Sequence, residues 1–230
     1  VFSLLISTDR NPVSRAAVVG DHAPDLMVSL AANVAANLTT AAFALLWISS
    51  TAAATAEDFG WRREKLGEDV RLGLIAFAAI AAPVYGLQAI LSQFVKEQHP
   101  IIEVLKEHPS PILYALAGLS AVAVAPLAEE FFFRVLLQGW LESARWPGAP
   151  PHDLTEAITE HRPRPMAILI TSLLFAALHL GHGAAPVPLF FLSLALGYLY
   201  QRTHRLLPCA TVHFCLNACS FAMLYFSPAE

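Results

Sequence analysis

The chain has 230 residues, of which 56% are hydrophobic and only 14% are charged, and its mean hydropathy is +0.54. Soluble domains usually carry about 25% charged residues, so this composition is too apolar for a water-soluble globule of the same size. It also excludes a disordered chain, a collagen-like repeat and a disulfide-rich secreted scaffold. The net charge of −4, without a basic stripe, excludes a nucleic-acid-binding protein. An integral membrane protein remains.

Six apolar stretches follow one another along the chain, and the longer ones reach the roughly 20 residues that a membrane-spanning helix needs. They cover residues 26–49, 72–95, 111–141, 166–180, 187–200 and 206–226. The expected fold is therefore all-α, a polytopic transmembrane helical bundle with about six spans.

The third apolar stretch contains three ionisable residues, Glu129, Glu130 and Arg134. An ionisable group at this depth costs roughly 2.5–3.5 kcal/mol, so such groups are candidates for function. Glu130 and Arg134 are four residues apart on one helix face, which predicts an ion pair. Glu129 is rotated by about 100° from Glu130 and has no partner on its own helix. A carboxylate in such a place has the chemistry of a general acid or base.

Two further apolar stretches each carry a polar cluster. His179 follows Phe175 by one helical turn, and His213 precedes Asn217 by one turn. Taken alone, each is weak, since a single histidine at a helix end is more often an interfacial or capping residue. Together with Glu129 they form a convergent set with the parts for hydrolysis. Glu129 provides a base, a histidine holds the water, and His213 with Asn217 donates to an oxyanion.

These three motifs resemble those of the type II CAAX prenyl protease family, also called CPBP or Abi. The motifs are Glu129-Glu130-x-x-x-Arg134, Phe175-x-x-x-His179 and His213-x-x-x-Asn217, and they occur in the family's order. The resemblance divides the chain into a variable region with two transmembrane helices, residues 1–110, and a catalytic core, residues 111–226. No motif position departs from the family pattern.

The resemblance implies an intramembrane endopeptidase of the glutamate type, which uses no metal or cofactor. Glu129 and His179 then activate the water, and His213 and Asn217 form the oxyanion site. Glu130, Arg134 and Phe175 support the site. The implied substrate is a peptide or membrane protein, with or without a lipid modification, within the lipid bilayer. Alanine richness and the spread of the family favour a multi-pass protein of a bacterial inner membrane.

Three alternatives stay open from the sequence. Zinc could be held by Glu129, His179, His182 and His213, although the chain lacks the HExxH helix of many zinc proteases. A non-catalytic immunity or scaffold protein could use the same cluster to bind a partner helix. A transporter is disfavoured, because the chain has no inverted repeat.

Overall fold

The computed structural model describes residues 23–95, 110–143 and 164–226, and these form six helices. They are α1 (Ala23–Ala52), α2 (Leu66–Leu91), α3 (Pro111–Ser143), α4 (Pro165–Ala177), α5 (Pro186–Thr203) and α6 (Leu206–Phe226). No strand occurs in the described part of the chain. Each predicted apolar stretch overlaps one of these helices over most of its length, so the expected all-α helical bundle is confirmed.

Four of the helices are long and apolar enough to cross a membrane: 27–52, 63–91, 111–143 and 206–226. Helix α4 has 13 residues, and α5 has 18 but is not among the four. Large apolar side chains such as Leu46 and Phe226 are more than two-thirds exposed, which suits contact with lipid. Length and composition therefore support four of the six predicted spans.

Helix α4 ends earlier than its apolar stretch predicts. The helix stops at Ala177, and residues 178–185 form turns. Gly181 and Gly183 have φ values of +98° and +59°, in the region that side chains with a Cβ rarely adopt. The glycines thus allow the chain to reverse into α5, and His179 lies in the turn rather than in the helix.

Helix α3 is central to the bundle, because it packs against α1, α4, α5 and α6. It is not a regular α-helix: residues 119–124 and 131–138 are π-helical, and the short α-helical segment Ala125–Glu130 lies between them. π-Helical turns are rare and are often found at functional sites. The paired glutamates Glu129 and Glu130 end the short segment between the two.

Helix α2 lies closely along α6. A Cβ added at Gly73 would lie 2.5 Å from Thr211 Cβ and 2.8 Å from the Pro208 carbonyl oxygen, so glycine is required for this approach. At the same end of α2, the buried carboxylate of Asp69 forms an ion pair with Arg205. These contacts fix the position of α6, the helix that carries His213.

The close approach of α2 and α6 predicts that Gly73→Ala lowers the free energy of unfolding by about 1–3 kcal/mol, because the new methyl group overpacks the interface. Thermal unfolding in detergent measures the effect. Gly86→Ala is a matched control in the same helix, since beyond its chain neighbours and the helix's own backbone no heavy atom of the described residues lies within 4 Å of its Cβ position. The control should keep or raise stability, by up to about 1 kcal/mol. Equal losses in both variants would contradict the assigned contact.

Candidate active site

Glu130 and Arg134 form a fully buried ion pair on α3. Arg134 donates from Nε to Glu130 Oε2 at 2.9 Å, and both side chains are 0% exposed. The pair is thus present as its four-residue spacing predicts. The guanidinium also donates from Nη2 to Ser193 Oγ on α5 at 2.8 Å. Sequence reasoning missed Ser193, although a hydroxyl in an apolar stretch is a usable signal.

His213 on α6 lies between the two glutamates of α3. Its Nδ1 donates to Glu130 Oε1 at 3.0 Å, and its Nε2 lies 3.7 Å from Glu129 Oε2. Glu130 therefore uses one carboxylate oxygen for Arg134 and the other for His213. The sequence left Glu129 without a partner on its own helix, and the fold supplies one from α6.

His179 has a defined tautomer because of its hydrogen bond to the backbone. Its Nδ1 lies 2.7 Å from the carbonyl oxygen of Phe175, and a carbonyl can only accept, so Nδ1 carries the proton. In the neutral ring, Nε2 is then the nitrogen that can accept a proton or a hydrogen bond.

The ring of Phe175 is the point at which the three motifs meet. It is fully buried, and its centroid lies 4.8 Å from that of His179 and 5.9 Å from that of His213. The Arg134 Cζ atom lies 5.8 Å from the same centroid, over the ring. Such a cation–π contact is favourable in a desolvated position. Phe175 thus fixes the spacing between the ion pair and the two imidazoles.

Asn217 binds the backbone of α3. Its Nδ2 donates to the carbonyl oxygen of Ala121 at 2.8 Å, within the π-helical residues 119–124. Pro126 lies five residues after Ala121 and has no N–H to donate, so a π-helical backbone bond to that carbonyl cannot form. One of the two amide hydrogens of Asn217 is used here, and the second stays available as a donor.

His182 lies beside His179 in the turn after α4. Its Nδ1 is 3.1 Å from the His179 carbonyl oxygen, and the two ring centroids are 6.0 Å apart. Among the described residues, no group of three or more His, Cys, Asp or Glu side chains is arranged to hold a metal ion. Both Glu130 oxygens already accept hydrogen bonds from protein donors.

Comparison with known protein families finds a match to part of the chain. Residues 111–219 match the family model described as type II CAAX prenyl endopeptidase, Rce1-like, so this part of the chain is a domain of that family and the resemblance seen in the three motifs is confirmed. Residues 111–219 are therefore a CAAX-type protease domain, whose family implies a peptide substrate, and the family and the apolar helices indicate an integral membrane protein. No curated protein and no solved structure matched the chain. The division of the chain at residue 110 stays a prediction.

The buried ion pair predicts a loss of stability in Glu130→Gln. The substitution leaves the guanidinium of Arg134 in the bundle without an opposite charge, and breaking a buried pair in this way costs about 3–5 kcal/mol. Chemical or thermal unfolding in detergent measures it. Glu129→Gln on the same helix is the control and should unfold close to the wild type. An equal loss in the two variants would mean that the pair does not carry this stability.

Proposed function

Because residues 111–219 belong to the type II CAAX prenyl endopeptidase family, we propose that the protein is a glutamate-type intramembrane endopeptidase that needs no metal. It hydrolyses peptide bonds of membrane-associated or CAAX-like substrates, and it is a multi-pass protein of a bacterial inner membrane. One observation supports the proposal: His179 and His213, from two separate segments, both contact the buried ring of Phe175, and Glu129 of α3 lies 3.7 Å from Nε2 of His213.

In the proposed reaction, a water molecule is held between the Glu129 carboxylate and Nε2 of His179. Glu129 takes a proton from this water as the oxygen attacks the carbonyl carbon of the scissile peptide bond. The carbon–nitrogen bond of the tetrahedral intermediate then breaks. Glu129 returns its proton to the leaving amine nitrogen, so the carboxylate is regenerated and the water's atoms are divided between the two products.

His213 and Asn217 are the proposed donors to the oxyanion of that intermediate. Because His213 Nδ1 donates to Glu130, the ring can donate from Nε2 only when both nitrogens carry a proton. Glu130 and Glu129, at 3.0 Å and 3.7 Å from the ring nitrogens, supply the negative charge that compensates such a cation. Asn217 contributes the amide hydrogen that Ala121 does not use.

Glu130, Arg134 and Phe175 support the site without touching the substrate. Glu130 orients His213 by accepting a hydrogen bond from its Nδ1. Arg134 in turn fixes Glu130 by donating to its other carboxylate oxygen. Phe175 contacts the Arg134 guanidinium and the imidazoles of His179 and His213. Glu129 thus takes part in the reaction, whereas its neighbour Glu130 holds the other side chains of the site in place.

Glu129→Gln should abolish turnover of a quenched-fluorescent peptide library by purified protein in detergent, with a loss of at least about 10²-fold, because the base is removed and the shape is kept. Wild-type cleavage should survive a strong chelator. Glu142→Gln is a matched control, since Glu142 lies on the same helix but bonds to Gln138, Gln201 and His204 instead.

Other results would decide against the proposal. Activity that disappears with the chelator and returns with zinc would place the histidines around a metal. Full activity in Glu129→Gln would assign the base elsewhere. Absence of any cleavage by the folded wild type would favour the scaffold or immunity protein instead.

The oxyanion assignment predicts that His213→Gln lowers kcat by about 10²–10³-fold, since one donor to the intermediate is lost. Michaelis parameters normalised to folded protein separate this effect from a loss of stability. Thr211→Val serves as the control on the same helix, because the Thr211 hydroxyl donates only to the backbone oxygen of Leu207, at 2.8 Å. A kcat that stays at the wild-type value in His213→Gln would refute the role.

A further inference from the structure

Three polar contacts link α3 to α5 at regular intervals. Arg134 bonds to Ser193, Gln138 to Gly197 and Glu142 to Gln201, at distances of 2.8 Å, 2.8 Å and 3.1 Å. Each residue of α3 pairs with the residue 59 positions later, and successive contacts are four residues apart on both helices. The two helices thus run in the same direction in this interface, and the Glu130–Arg134 ion pair is at one end of the series.

Three buried polar atoms beside this series have no hydrogen-bond partner in the described part of the chain. They are Arg134 Nη1, Gln138 Oε1 and Ser172 Oγ, and all three side chains are 0% exposed. A buried polar group without a partner is costly, and native proteins rarely leave one unpaired. Three of them in one interface require an explanation.

The three atoms face the same region between α3, α4 and α5. A Cβ at Gly197 would lie 3.1 Å from Gln138 Oε1 and 2.9 Å from Ile168 Cγ2, so the Gln138 oxygen faces α4 at Ile168. Arg134 faces α4 one or two turns later, at Phe175. Ser172 is four residues after Ile168 and three before Phe175, hence on the same face of α4 and between the two levels.

The chemistry of the three atoms selects one kind of ligand. Gln138 Nε2 donates to Glu142 Oε1 and to the Gly197 carbonyl, both acceptors, so the amide orientation is fixed and Oε1 can only accept. Arg134 Nη1 can only donate, and Ser172 Oγ can do both. An anion would be repelled by the Gln138 oxygen, and a cation by Arg134. Water both accepts and donates.

We infer that Arg134 Nη1, Ser172 Oγ and Gln138 Oε1 bind one internal water molecule. The water accepts from Arg134 and donates to Gln138 and Ser172, which gives it the three hydrogen bonds usual for a buried water. It gives Arg134 Nη1 an acceptor, so that each of the three guanidinium nitrogens then donates at least one hydrogen bond. Ser172 thereby becomes a positioning residue for the Glu130–Arg134 pair, a consequence that rests on the proposed function.

An experimental density map that shows ordered solvent tests the site directly. A peak is expected about 2.7–3.2 Å from all three atoms. A map of the same quality without a peak, or with a direct bond between Arg134 and Gln138, would overturn the inference. Neither result depends on whether the protein cleaves peptides.

A double-mutant cycle between Ser172→Ala and Gln138→Met tests the water in detergent solution. Each single variant should lower Tm by about 2–4 °C. The double variant should lose less than the sum, because either substitution already removes the shared water. Thr171→Val replaces Ser172→Ala in the control cycle, since the Thr171 hydroxyl is equally buried but bonds to its own helix backbone at Ala167 and Ile168. Additive losses in the Ser172 cycle would refute the shared water.

The positioning role has its own readout. Ser172→Ala should lower kcat per folded molecule by up to about 10²-fold at unchanged KM, because the ion pair orients catalytic groups and does not contact the substrate. Thr171→Val should leave both parameters unchanged. An unchanged kcat in Ser172→Ala, in a preparation whose wild type cleaves peptide, would refute the positioning role alone.

Discussion

The buried ion pair between Glu130 and Arg134 sets the main constraint on how the helices of this bundle pack. Removing two ions from water costs several kcal/mol each, and their attraction offsets this only if the remaining hydrogen-bonding capacity is also used. Glu130 uses both oxygens, and Arg134 adds Ser193 and the face of Phe175. The partners come from α4, α5 and α6, so the neutralisation of one charge pair on α3 determines how three other helices pack.

The π-helical geometry of α3 before Pro126 has a related cause, because buried backbone carbonyl groups also need hydrogen-bond donors. Pro126 removes a backbone donor in the middle of a helix that has to remain continuous, and the turns before it become π-helical. Asn217 then donates to the carbonyl of Ala121 from a different helix. A residue of the third motif therefore helps to complete the backbone of the helix that carries the first. This contact explains in physical terms why α3 and α6 are coupled near the site.

Local features of the fold and site could be predicted from the sequence, and long-range ones could not. Apolar length predicted the helices, and a spacing of four residues predicted the Glu130–Arg134 pair, because both depend on one helix alone. The contact of His213 with both glutamates depends on how α3 and α6 cross, which periodicity does not specify. The end of α4 before His179 could not be predicted from apolar length, because Leu178 and Leu180 continue the apolar stretch after the helix has ended at Ala177.

Hydroxyl residues in the apolar stretches carry information about helix packing that apolar length does not. Ser193 and Ser172 are completely buried, and a serine on a lipid-facing helix surface would not need a partner on another helix. In a membrane-protein interior a hydroxyl commonly bonds to a neighbouring helix, as Ser193 of α5 does with Arg134 of α3. The position of Ser193 in the sequence therefore marks the face of α5 that turns towards α3.

Glu129 and Glu130 show how adjacent residues of one type acquire different chemistry. A rotation of about 100° along the helix directs them to different surroundings. Glu130 has no exposure and is saturated by Arg134 and His213, whereas the Glu129 side chain is 11% exposed and approaches His213 only to 3.7 Å. A carboxylate whose two oxygens both accept hydrogen bonds from protein donors is a poor proton acceptor, while one with room for water beside it can exchange protons with that water. His213 contacts both, so the imidazole that stabilises the buried pair is also the group through which that pair orients the proposed catalytic base.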